Sequence, residues 1–121
     1  MSKRILAVDD HALYLAGLGE LLTGAGYQVT LANTFEAAKH ALATRPDLLL
    51  VDVRLGAYNG LQLVSMTSSR PNRIPAIVLS GFDDPVLRAD AEAFGARYVL
   101  KPIAPPALLE MLTEMLPILA R

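Results

Sequence analysis

With 121 residues, 53% of them hydrophobic, and a formal charge of −1, the chain can bury one sizeable core but hardly two, and it carries no basic footprint for nucleic acid. It has no cysteine, which excludes disulfide scaffolds and thiolate metal sites. Lys3-Arg4 is followed by too short an apolar run for a signal peptide, and no apolar run approaches membrane-spanning length, so residues 1–121 are expected to form one soluble, cytoplasmic domain.

Strand and helix signals alternate along the chain with a period of roughly 20 to 25 residues, as in repeated βαβ units. A first strand is expected over Arg4–Val8, followed by a helix from Ala12 to Thr23 that stops at Gly24-Ala25-Gly26. A second strand covers Tyr27–Leu31. Asn33-Thr34-Phe35-Glu36 has the form of a capping box and opens a second helix with Phe35, Ala38 and Leu42 on one face. Pro46 ends that segment, and the third strand follows at Leu48–Val51. Gly56 to Gly60 is expected to be a loop, with a third helix starting near Leu61. Pro71 to Pro75 lead into a fourth strand, Ala76–Leu79. Asp84-Pro85 supplies an N-cap and a first-turn proline for a fourth helix, whose Leu87, Ala91 and Phe94 share a face. Gly95 closes it, a fifth strand runs over Arg97–Leu100, and a fifth helix begins at Pro105-Pro106. Arg70, Arg73 and Arg97 are scattered and expected in solvent, as are His11 and His40.

Five short signals stand in order on this frame: Asp9-Asp10, Asp52, Ser80, Tyr98 and Lys101-Pro102. The first three and the lysine each follow an apolar run directly. In a parallel sheet the C-terminal strand ends share one edge, and ligands bind there. Three carboxylates, a hydroxyl and an ammonium would then meet in one small volume. Clustered carboxylates repel unless a cation joins them, so the pattern calls for a divalent metal.

At these residues the chain resembles the receiver domain of two-component response regulators over nearly its full length. The resemblance rests on Val8-Asp9-Asp10, on Val51-Asp52-Val53-Arg54-Leu55 with Asn59-Gly60 beyond it, on Leu79-Ser80-Gly81, and on Tyr98-Val99-Leu100-Lys101-Pro102. There are two departures. Gly56 stands where the family usually has proline, and Ser80 where threonine is commoner. The resemblance implies an α/β, flavodoxin-like fold, a single doubly wound five-stranded parallel sheet of order 2-1-3-4-5 with five helices. It implies that Asp10, with Asp9 partly through water, holds Mg²⁺. Asp52 is implied as the nucleophile and phosphoacceptor, its second oxygen and the backbone carbonyl of Arg54 facing the metal. Lys101 would pair with Asp52 and then with the phosphoryl oxygens, and Ser80 would hydrogen-bond them. Tyr98 is implied as a rotameric switch that swings inward as Ser80 turns, and the Lys101-Pro102 peptide as cis. Gly81 leaves room for the phosphoryl group, while Arg54 and Phe82 flank the path of attacking water.

The function so implied is a phosphorylation-activated switch, not a turnover enzyme, served by a sensor histidine kinase or a histidine phosphotransfer protein. An aspartyl-phosphate phosphatase needs a second acid two residues after its nucleophile, and that position is Arg54. A flavin-binding flavodoxin needs a Ser/Thr/Gly-rich loop after the first strand, where this chain has His11-Ala12-Leu13-Tyr14. Gly17-Leu18-Gly19 is similar to a dinucleotide fingerprint but falls inside a helix and lacks the third glycine. The remaining alternative is a non-phosphorylated pseudo-receiver serving as an interaction module. In the fifth helix, Leu108, Leu112 and Met115 form the stripe expected to face the sheet. Leu109 and Leu116 are read either as a widening of that stripe or as a small apolar patch for a homodimer or effector on the helix 4–strand 5–helix 5 face, with Pro117 ending or kinking the helix.

Overall fold

The structure is a computed structural model that describes residues 2–68 and 73–116. Expectations resting on Arg70, Pro71 and Pro117 lie outside those residues. In chain order the elements are β1 (Arg4–Val8), α1 (Ala12–Gly24), β2 (Gln28–Ala32), α2 (Phe35–Leu42), β3 (Leu48–Asp52), β4 (Arg54–Leu55), β5 (Tyr58–Asn59), α3 (Leu61–Ser68), β6 (Ala76–Ser80), α4 (Pro85–Ala93), β7 (Arg97–Leu100) and α5 (Pro105–Met115). Five of the strands form one sheet in the order β2-β1-β3-β6-β7. All four pairings within it are parallel. This is the flavodoxin-like arrangement expected from the sequence, with β6 and β7 as its fourth and fifth strands.

The apolar runs explain why the sheet is covered on both faces. Side chains alternate across a strand, so a run that is apolar throughout needs a layer on each side. Leu6, Val8, Leu49, Val51, Ala76 and Val78 pack in one core layer with Ala38 of α2, Leu61, Leu63 and Val64 of α3, and Ala91 of α4. Their neighbours Ile5, Leu48, Leu50, Ile77 and Leu79 pack in the other with Leu18 and Leu22 of α1 and Leu108 and Leu112 of α5. No helix of the described residues is long and apolar enough to cross a membrane.

Helix starts obey the expected chemistry with one change. Asp84 Oδ1 accepts from the Val86 and Leu87 N–H groups at 2.9 and 3.2 Å, and Pro85 occupies the first turn of α4. Thr34 caps α2 by accepting from Ala37 N–H at 3.1 Å. The capping box is only half present, because the position that must reach back is occupied by Ala37 rather than by Glu36. His11 is the N-cap of α1 rather than a plain solvated residue. The arginines are also engaged: Arg97 pairs with Glu114 at 3.1 Å, and Arg73 donates to the Phe94 carbonyl at 3.2 Å.

One expectation is corrected and one open alternative is decided. The segment read as a loop from Gly56 to Gly60 carries part of a short antiparallel hairpin, with Arg54 opposite Asn59 and Leu55 opposite Tyr58. In α5, of the two readings of Leu109 and Leu116, burial favours the widened core stripe: Leu116 is only 7% exposed, and Leu109 is partly buried against the same apolar layer as Leu108 and Leu112.

Candidate functional site

The strand register assembles the site. Val8 lies beside Val51, Asp52 beside Leu79, and Ser80 beside Leu100, so the residues that end β1, β3, β6 and β7 emerge at one edge. Backbone bonds continue past the strand ends and fix the next residues: Val53 N–H donates to Leu79 O at 3.0 Å, and Lys101 N–H to Ser80 O at 2.8 Å. The Lys101-Pro102 peptide is cis, as the resemblance implied. One carboxylate oxygen from each of Asp9, Asp10 and Asp52 lies within 4.8 Å of the others.

Lys101 bridges two of these acids. Its Nζ donates to Asp9 Oδ2 and to Asp52 Oδ1, both at 3.1 Å. Each acid also takes one backbone N–H: His11 to Asp9 Oδ1 at 2.9 Å, Arg54 to Asp52 Oδ2 at 3.2 Å, and Gly56 to Asp10 Oδ2 at 3.0 Å. Three carboxylates face one ammonium, and two of the three are buried. Burial pushes the Asp52 carboxyl above the usual carboxylate range, and Asp9 adds to this, while Lys101 and the Arg54 N–H pull the other way. Lys101 is held above the ordinary lysine range: burial works against its charge, but hydrogen bonds and attraction from Asp52 and Asp9 together outweigh it. This surplus of negative charge on hard oxygen ligands fits a small divalent cation of the magnesium class.

Beyond Asp52 a cleft of about 700 Å³ opens, lined by Arg54, Ser80, Gly81, Phe82 and Lys101 among others. Phe82 is 57% exposed, and the Arg54 guanidinium stands 4.6 Å over its ring, so the two side chains roof one side of the cleft. Ser80 Oγ accepts from Phe82 N–H at 3.1 Å and donates to Phe82 O at 3.0 Å. Tyr98 is buried, and its hydroxyl donates to that same carbonyl at 2.7 Å. The ring thus already occupies the inward position, with the Arg88 guanidinium 4.8 Å over it. A Cβ at Gly60 would lie 2.1 Å from the Asp52 carbonyl oxygen, so any side chain there displaces the phosphoacceptor candidate's own backbone.

Asp9, Asp10, Asp52, Ser80 and Lys101 therefore meet at this edge, with Arg54, Gly81 and Phe82 lining the cleft beside them and Tyr98 reaching the Phe82 carbonyl from β7. The sequence does not show the parts played by four others. Tyr14 places its ring 4.4 Å from Lys101 Nζ. Burial raises the Tyr14 hydroxyl's pKa, opposed by Lys101 and aided by Asp9 and Asp52. Gly56 serves Asp10 through its N–H, Gly60 admits the Asp52 carbonyl, and Arg88 covers Tyr98. Of these, Gly60 stands out in the sequence as part of Asn59-Gly60 and Gly56 as the departure from proline; Tyr14 and Arg88 have no signal there.

Comparisons with known proteins agree with this geometry. The family described as "Response regulator receiver domain" matches residues 5–113. Among curated relatives, the transcriptional regulatory protein PrrA of Mycobacterium leprae is 33% identical over 95% of this chain and 50% of its own length. The chemotaxis protein CheY of Thermotoga maritima is 28% identical over 95% of this chain and 98% of its own. The chain thus spans about half the length of the transcriptional regulator and nearly all of the chemotaxis protein. Among solved structures, the Vibrio cholerae chemotaxis protein CheY4 superposes with a TM-score of 0.86 at 27% identity, covering 96% of this chain and 100% of that one. By its motif residues, its strand order and these matches, the chain belongs to the receiver domains of two-component response regulators.

Proposed function

We propose that this domain is a cytoplasmic phosphorylation-activated switch that takes a phosphoryl group onto Asp52 from a phosphohistidine of a sensor kinase or phosphotransfer protein. The observation that carries this reading is the Lys101 ammonium, held 3.1 Å from Asp52 at the mouth of an open cleft. An Asp52 oxygen attacks phosphorus, the bond from phosphorus to the donor's histidine nitrogen breaks, and that nitrogen keeps the electron pair. Lys101 is placed to follow the transferring oxygens, since charge-assisted bonds of this kind supply most of what phosphoryl transfer needs. Asp10, Asp9, Asp52 and the Arg54 backbone carbonyl would hold a divalent cation, which would supply further positive charge against the repulsion between carboxylate and phosphate. Ser80 would exchange its bonds to Phe82 for one to a phosphoryl oxygen, biasing the packing around Tyr98, β7 and α4. Against the pseudo-receiver alternative stands the convergence of all three carboxylates and the lysine.

Incubation with acetyl phosphate and Mg²⁺, followed by intact mass, tests the reading. One hydroxylamine-labile phosphoryl group is expected, and none with chelator present. Absence of the adduct under both conditions returns the domain to the pseudo-receiver class.

The roof over the cleft sets a further expectation. Arg54 and Phe82 cover one side of the cleft above Asp52 and narrow the approach of water to an acyl phosphate there, so the parent should lose its phosphoryl group more slowly than the double variant Arg54→Asn, Phe82→Glu. A difference of about tenfold is expected, the size of one charge-assisted contact of roughly 1.4 kcal/mol. Release of inorganic phosphate after removal of the donor measures it, and equal rates would show that the roof does not exclude water.

A further inference from the structure

Asp10 is the exposed member of the acidic cluster, and one backbone donor orients it. The Gly56 N–H reaches Asp10 Oδ2 at 3.0 Å from 46 positions further along the chain, while Asp10 Oδ1 has no protein donor among the described residues. That donor depends on residue 56 in two ways. Gly56 has φ +61°, a conformation glycine adopts without steric cost, and a proline would have neither that angle nor an N–H.

Gly56 sits at the turn of the β4–β5 hairpin, whose strands of two residues each are too short to hold themselves. Leu55 anchors one strand in the core. On the other strand the Tyr58 ring stacks on Phe35, the first residue of α2, with centroids 4.4 Å apart and planes 13° from parallel. Tyr58 is 46% exposed, so it makes this contact at the rim rather than as core filling.

We propose that this hairpin is a positioning element for a divalent cation: the Gly56 N–H fixes one oxygen of Asp10 and leaves the other free to ligate, and the Phe35–Tyr58 stack keeps the hairpin tip in place. The inference rests on reading Asp9, Asp10 and Asp52 as the cation site. Mg²⁺ demands near-octahedral geometry, so a ligand's orientation matters to it. Loss of a hydrogen bond that orients a metal ligand costs roughly 10- to 100-fold in affinity.

The test is a Mg²⁺ titration of the ¹⁵N-labelled chain, without phosphodonor, monitored through the amide resonances of Asp9, Asp10 and Arg54. Tyr58→Ala and Gly56→Pro should each weaken binding about tenfold, while Tyr58→Phe, which keeps the ring, should stay within about twofold of the parent. Before Mg²⁺ is added, the Gly56 amide should exchange with solvent faster in Tyr58→Ala than in the parent. The amides of Leu49 and Val78 report whether each variant keeps its sheet; should Gly56→Pro fail to fold, the two Tyr58 variants decide. Equal affinity in parent and Tyr58→Ala overturns the positioning role and leaves the cation site standing. Absence of any Mg²⁺-dependent shift in the parent overturns both.

Discussion

Asp52→Asn is expected to abolish the hydroxylamine-labile phosphoryl adduct and to leave the domain at least as stable at neutral pH. The amide has nearly the shape of the carboxylate and can still accept from Lys101 or from the Arg54 N–H, but it is no nucleophile. The stability stems from the direction of the Asp52 shift. Burial raises its folded pKa above the ordinary 3.8, so the folded state holds that proton more tightly than the unfolded chain does. Ionising Asp52 therefore opposes folding; the penalty is absent below 3.8 and grows to its full size as pH rises through the raised value. Asparagine never carries it. Intact mass after acetyl phosphate treatment and thermal melts at pH 5 and 8 check both halves. A labile adduct on the variant would move the phosphoacceptor elsewhere, and a lower melting temperature at pH 8 would show that the Lys101 contact outweighs burial.

Lys101→Met has the larger expected effect on stability. It removes the ammonium shared by Asp9 and Asp52 and leaves two buried carboxylates facing each other. Breaking a buried ion pair from one side costs about 3 to 5 kcal/mol. The Lys101 side chain keeps 22% of its exposure, so the expected loss falls at or just below the bottom of that range, about 2 to 3 kcal/mol at neutral pH. The loss should shrink in acid, where the carboxylates take up protons, and Mg²⁺ should restore part of it by occupying the same negative field. The raised Lys101 pKa gives a second signature. Its contribution is fully present below the ordinary lysine value of 10.5 and fades as pH rises through the folded value, so the parent loses stability in that alkaline window and the variant does not. Urea denaturation across pH, with and without Mg²⁺, measures these effects. Adduct formation should also fall steeply in this variant, and full labelling would remove Lys101 from the transfer step.

The sheet and most of the site were legible because both depend on local signals. An apolar run ending in Asp, Ser or Lys needs no knowledge of its neighbours, and parallel topology then brings those ends together. Contacts between distant positions escaped, as between Tyr14 and Lys101, Phe35 and Tyr58, or Gly56 and Asp10. The β4 and β5 strands are too short to show an alternating pattern. Leu116 stays open between core and surface in the sequence for a different reason: α5 ends at Met115, and Leu116 has φ −133° and ψ 75°. A residue outside the helix does not keep its place on the helical wheel, and this one turns into the core.

The Phe82 carbonyl receives two hydroxyls at once, from Ser80 on the cleft side and from Tyr98 on the β7 side. That junction is backbone, whereas the cover over the cleft is the Phe82 ring. A change of residue type at 82 therefore alters what shelters the reactive group without deleting the atom on which the two hydroxyls meet. On the proposed reading, the lifetime of the phosphoryl mark and the route by which it is passed on can change independently at this single position.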